Sequence, residues 1–223
     1  MKYINMFFKQ RFSFYQVVGN ACSFVKIGLN KVILLLVMGL SAYSKSTMNL
    51  EEGLNHQALK KALQYSASSK YKKRISNDKY VVIIDYTMPS NKERLFLYNT
   101  QTKKVEHKFL VAHGKGSGRG AYAEKFSNTP GTQTSSKGVF VTTGSHYPSK
   151  FNKVIHVEGL EKGVNDNAAK RAIEFHDAWY VNKAFADKYQ RVGNSFGCFT
   201  MSLKDLELIT PLVDNGTLVY VYG

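Results

Sequence analysis

Cys198 lies in the stretch RVGNSFGCFTMS, with Gly197 before it and Ser195 three positions earlier. Such a cysteine is a buried structural residue, a survivor of a lost disulfide, or a nucleophile. The third role needs a base, because an ordinary thiol with a pKa of about 8.5 is only a few per cent thiolate at pH 7. Gly197 lets the backbone turn without a Cβ in the way. The amides near Gly197 and Cys198 could then point at one oxygen, and each donor of an oxyanion hole is worth roughly a hundred- to a thousandfold in rate. The same four residues equally describe a plain β-turn around a half-buried cysteine.

Six histidines are candidates for the base: His56, His107, His113, His146, His156 and His176. His176 ends the apolar run AIEF and lies 22 residues before Cys198, in the segment preceding the Gly-Cys turn. Adjacent antiparallel strands would bring the two side chains together. His113 and Gly114 close another apolar run just before a glycine-rich loop, a good place for substrate contacts. No two histidines stand at i, i+4 and no second cysteine helps, so neither a metal site nor a cofactor is expected.

That loop, residues 114–138, is rich in Gly, Ser and Thr, and long ordered loops in compact domains are usually functional. It is not a phosphate cradle of the familiar kinds. Arg119 stands where G-x-G-x-x-G needs its third glycine, and no G-x-x-x-x-G-K-[ST] occurs.

The elements that position these residues follow from periodicity. LNHQALKKALQYSASSKYKKRI (54–75) spaces its apolar residues as a helix does. KYVVIIDYTM (79–88), RLFLYNT (94–100), KVEHKFLVAHG (104–114), GVFVTTG (138–144), KVIHVEG (153–159) and RAIEFHDAWYV (171–181) read as strands. Ser202, with Asp205 three residues on, opens an amphipathic helix over 202–214, and NGTLVYVYG closes the chain as a strand. Strands dominate without a βαβ rhythm. The class is mainly β, a sandwich or barrel with flanking helices.

Residues 1–44 read as a leader. Five positive charges and no acid precede the uncharged run VILLLVMGLSAYS (32–44), and Ala42 and Ser44 fit a cut before Lys45. The run is short of the roughly 20 residues that span a bilayer, so a signal peptide is expected, with a retained anchor as the alternative. A helical segment over 45–78 and a main domain over 79–223 would follow. The net charge of +15 falls only to +10 once the five leader charges are set aside. A basic exported domain is drawn to anionic polymers. It also keeps one thiol, Cys198, where thiols are usually paired or absent.

The stretches HDAWYV…GNSFGCFTM, VAHGKGSG, KFSNTPGTQTSSKGVFVT and VEGLEKGVNDNAAKRAIEFHDAWYV resemble the YkuD-like murein L,D-transpeptidase catalytic domain family, over about Lys79 to Met201. The resemblance implies an L,D-transpeptidase-like, mostly β fold and a cysteine acyl-enzyme on the tetrapeptide stem of peptidoglycan. An amine on another stem or on a protein then takes the acyl group. It implies Cys198 as nucleophile, His176 as base, the backbone carbonyl of Asp177 as the group that orients the ring, and Ser195 and Gly197 as shapers of the turn. The partners implied are peptidoglycan stem peptides in the periplasm or cell envelope. Nucleic acid is not among them, and a membrane is met only through an uncleaved N-terminal segment. A carboxypeptidase or endopeptidase using water, and a wall-binding module without catalysis, are the alternatives. The chain departs from the family pattern at Asp177, where Gly is common, at Phe196 and Phe199 flanking Gly-Cys, and at Thr200, where many members carry arginine.

Overall fold

The computed structural model describes residues 53–147 and 152–223. The expected leader lies outside them. Helix α1 (His56–Ala67) starts at Asn55, whose side chain accepts from the amides of Gln57 and Ala58. The single helix expected over 54–75 is instead broken at Ser68, which leaves the helical conformation and caps α2 (Ser69–Lys72) through the Lys70 amide. A serine hydroxyl offers the backbone an alternative partner, and here that partner starts a second helix.

The strands are β1 (Asn77–Asp85), β2 (Leu95–Asn99), β3 (Lys104–Phe109), β4 (Gly138–His146), β5 (Val154–Gly159), β6 (Glu174–Asp177), β7 (Phe199–Met201) and β8 (Asn215–Tyr222). Among the described residues they form one sheet in the order β3-β2-β1-β8-β4-β5-β6-β7. Pairing is antiparallel except for β1 with β8 and β6 with β7. Strands β1 and β8 lie inside the sheet and are buried on both faces, which explains the unbroken run VVII in β1.

Alternate residues of β1 face opposite cores. Val81 and Ile83 pack with Ala58 and Ala62 of α1. Val82 and Ile84 pack with Leu95, Leu97, Phe140, Phe175, Phe199 and the buried Ile209 of helix α4 (Leu203–Val213). Side chains from both ends of the sheet thus meet in one cluster, so the sheet is curled around it. The mainly β expectation holds, with one curled sheet and helices on its flanks. Ser202 caps α4 by accepting from the Asp205 amide at 3.1 Å, as its spacing predicts.

The expected strand over 171–181 shrinks to four residues, and β7, its neighbour on the Cys198 side, runs parallel to it. Parallel neighbours need a crossover of a dozen or more residues. Residues 178–198 supply it, including the short helix α3 (Lys183–Tyr189), which periodicity did not reveal over seven residues.

Candidate active site

The register of β6 and β7 sets the site. His176 pairs with Thr200, and Cys198 stands two residues before Thr200, in the bend that leads into β7. His176 and Cys198 line one cavity of about 500 Å³ together with Arg171, Glu174, Tyr180 and Phe196. Parallel strands, not the antiparallel pair expected from sequence, bring them together.

The ring of His176 is almost fully buried and held at both ends. Nδ1 lies 2.9 Å from the backbone carbonyl oxygen of Asp177. A carbonyl only accepts, so Nδ1 carries a hydrogen, which in the neutral tautomer leaves the lone pair on Nε2. Thr200 Oγ1 lies 3.2 Å from Nε2 and donates to it.

Among the described residues Cys198 forms no disulfide, and it is half-buried. Its Sγ donates to the Ala172 carbonyl at 3.2 Å. Burial pushes the thiol up to about 11 and the Glu174 carboxylate adds to this, while the Glu174 backbone amide and the Arg171 guanidinium oppose it. The resting residue is therefore a neutral thiol whose proton has to be taken by a base.

The turn before it is clasped by Ser195. Its Oγ accepts from the Gly197 amide at 3.1 Å and donates to the Cys198 carbonyl at 2.9 Å. This commits the Gly197 amide within the turn, so the expected pair of oxyanion donors at Gly197 and Cys198 is not present in this form. Gly197 has φ +123°, and a Cβ there would lie 2.6 Å from the Thr134 carbonyl oxygen. Glycine is required by both conformation and space.

His113 and Gly114 do not line the cavity. They stand behind it. Gly114 and Ser195 form an isolated parallel bridge, in which the Ser195 amide donates to the His113 carbonyl at 3.0 Å and the Lys115 amide to the Ser195 carbonyl at 2.8 Å. A side chain at Gly114 would collide with the backbone carbonyl of Gln133. The His113 ring is fully buried, with Nδ1 accepting from Arg94 at 2.8 Å and Nε2 donating to the Gly118 carbonyl at 2.9 Å. Burial first, then the Arg94 charge, lowers its pKa to about 4.

Sequence reasoning missed Arg94, which is fully buried, packs 4.8 Å over the Tyr86 ring and donates to the Val111 and Met88 carbonyls. Its signal was a lone arginine heading the apolar run LFLYN. Arg171 and Tyr180 were missed too. The Arg171 guanidinium spans the Ser127 and Thr134 carbonyls and the Ser136 hydroxyl, tying the glycine-rich loop to the cavity wall. Among the described residues no three His, Cys, Asp or Glu side chains gather as a metal site.

The sequence profile of the L,D-transpeptidase catalytic domain matches residues 50–222, so the chain belongs to that family. No curated protein matches it. Among solved structures it is similar to an L,D-transpeptidase from Mycobacterium smegmatis, at 10% identity and TM-score 0.41, over 65% of this chain and 59% of that one. It is also similar to an L,D-transpeptidase from Stackebrandtia nassauensis, at 16% identity and TM-score 0.38, over 73% of this chain and 64% of that one. The chain thus spans less than two thirds of the length of either.

Proposed function

We propose that the protein is a peptidoglycan L,D-transpeptidase that works through a Cys198 acyl-enzyme. The observation that carries this reading is the one cavity lined by both Cys198 and His176, whose Nδ1 is bound to the Asp177 carbonyl. Burial holds the thiol well above its ordinary range, which favours its neutral form at pH 7. The proton passes to His176 Nε2, in place of the Thr200 and Ala172 hydrogen bonds, as Sγ attacks the carbonyl before the terminal residue of the stem.

The tetrahedral intermediate collapses, the C–N bond breaks, and Nε2 returns the proton to the leaving amine. An amine of a second stem then attacks the thioester, gives its proton to Nε2 and expels Cys198 as the thiol. Asp177 keeps the ring in one tautomer through the cycle, and Ser195 fixes the carbonyl beside the nucleophile. The basic charge favours contact with an anionic polymer, and the leader-like residues 1–44 favour action outside the cytoplasm.

Incubation with purified tetrapeptide muropeptides and mass analysis of the products tests the reading. Free D-alanine with a cross-linked dimer is expected. Free D-alanine with an unlinked tripeptide identifies a carboxypeptidase, and unchanged substrate with folded protein favours a wall-binding module.

A further inference from the structure

The residues from His176 to Tyr180 divide between two cavities. His176 and Tyr180 line the one holding Cys198. Asp177 and Trp179 line a second, of about 340 Å³, with Ser202 and Leu203 on its other side. The second cavity falls within the ~300–1,000 Å³ of small-ligand sites.

Its chemistry is specific. Trp179 is 79% exposed, although buried aromatics are the rule. It is held in place by edge-on contacts with Tyr180 at 5.7 Å and Phe185 at 5.8 Å, so its exposure is not that of a loose side chain. Phe185 packs in turn on the half-exposed Tyr189 at 4.5 Å, which extends the aromatic strip along α3. Asp177 Oδ2 accepts from the Asn152 side chain at 3.2 Å, while among the described residues the buried Oδ1 has no hydrogen-bond partner. A buried acceptor left without a donor is costly. Ser202 Oγ accepts from the Asp205 amide, which leaves its hydrogen free to donate.

A flat aromatic, an acceptor carboxylate and a donor hydroxyl around a small cavity match a pyranose. A sugar ring offers an apolar face of C–H groups and a rim of hydroxyl and amide groups. We propose that this cavity, with Trp179 as its platform and the Asp177 carboxylate on its wall as an acceptor, binds an N-acetylated hexosamine of the glycan strand that carries the stem peptide. This rests on the peptidoglycan reading above. Continuity argues for that occupant: the carbonyl of Asp177 holds His176 in the Cys198 cavity while the same residue lines the second cavity, so a strand seated on Trp179 delivers its stem to the adjacent cavity.

Trp179 is the only tryptophan in the chain, so tryptophan emission reports this site alone. Titration with N,N′,N″-triacetylchitotriose, which carries no peptide, is expected to shift the emission to the blue and to saturate. Calorimetry is expected to give binding for wild type and none for Trp179→Ala. Trp179→Ala is expected to turn over free tetrapeptide as wild type does, but to lose about tenfold in kcat/KM on disaccharide-tetrapeptide. No response to millimolar chitotriose overturns the sugar site, and so does an equal loss on both substrates. A blue shift on concentrating the protein alone assigns the strip to a second copy, and a shift with anionic phospholipid vesicles but not with sugar assigns it to a membrane. Either result overturns the proposal. Failure of wild type to turn over any muropeptide while chitotriose binds sinks the transpeptidase reading and leaves the sugar site standing.

Discussion

Ser195 Oγ donates to the carbonyl of Cys198 at 2.9 Å while accepting from the amide of Gly197 at 3.1 Å, so one hydroxyl closes the turn that carries the thiol. Ser195→Ala removes both bonds at a buried position. The expected cost is about 1–2 kcal/mol in urea unfolding. Activity on tetrapeptide is expected to fall further than the folded fraction does, because Cys198 is left less precisely placed.

Gly197→Ala meets two obstacles together, a φ of +123° and the Thr134 carbonyl oxygen at 2.6 Å from the new Cβ. The expected loss of stability is about 2–4 kcal/mol. Thermal unfolding of this variant at a midpoint equal to wild type contradicts the described turn.

His113 supplies an acid-side dependence. Its folded pKa is lowered from 6.5 to about 4, chiefly by burial. A depressed histidine stabilises fully above the unfolded value, and that contribution is lost as pH falls through about 4. The size is about 3 kcal/mol. Urea unfolding at steps between pH 7 and 4 is expected to show this loss in wild type and a smaller one in His113→Gln. Equal slopes for the two proteins remove His113 as the cause.

Cys198 behaves in the opposite sense. Its folded pKa is raised from 9.0 to about 11, chiefly by burial, so the stability it contributes is complete below pH 9 and is lost as pH rises through about 11. Alkylation of Cys198 by iodoacetamide, followed by peptide mass, is expected to keep accelerating between pH 9 and 11 in native protein. In denaturant it is expected to level off near pH 9.

Much of the site was legible in the sequence, for identifiable reasons. Cys198, His176 and the Ser-x-Gly turn were visible because reactive side chains and glycine carry local signals. The strands β1 and β8 announced themselves by unbroken apolar runs. The parallel pairing of β6 with β7 was not legible, since register between a four-residue and a three-residue strand is set by the whole curled sheet. Ser68 ended α1 where periodicity alone continued it. The location of His113 and Gly114 beside the site was readable, but their place behind the turn depends on a bridge to Ser195 across 81 residues of chain. Arg94 and Arg171 escaped notice because most of their partners are backbone carbonyls, which sequence does not distinguish.

The central claim is that His176 activates Cys198 for acyl transfer, and one measurement tests it most directly. Wild type, Cys198→Ser and His176→Ala are each incubated with a carbapenem, whose strained amide imitates the peptide carbonyl, and the intact mass is followed in time. Wild type is expected to gain one covalent adduct on Cys198 and Cys198→Ser none. Folded His176→Ala is expected to react about 10² to 10⁴ times more slowly, the range a general base supplies. A folded wild type that stays unmodified, or a His176→Ala variant that reacts at the wild-type rate, contradicts the account.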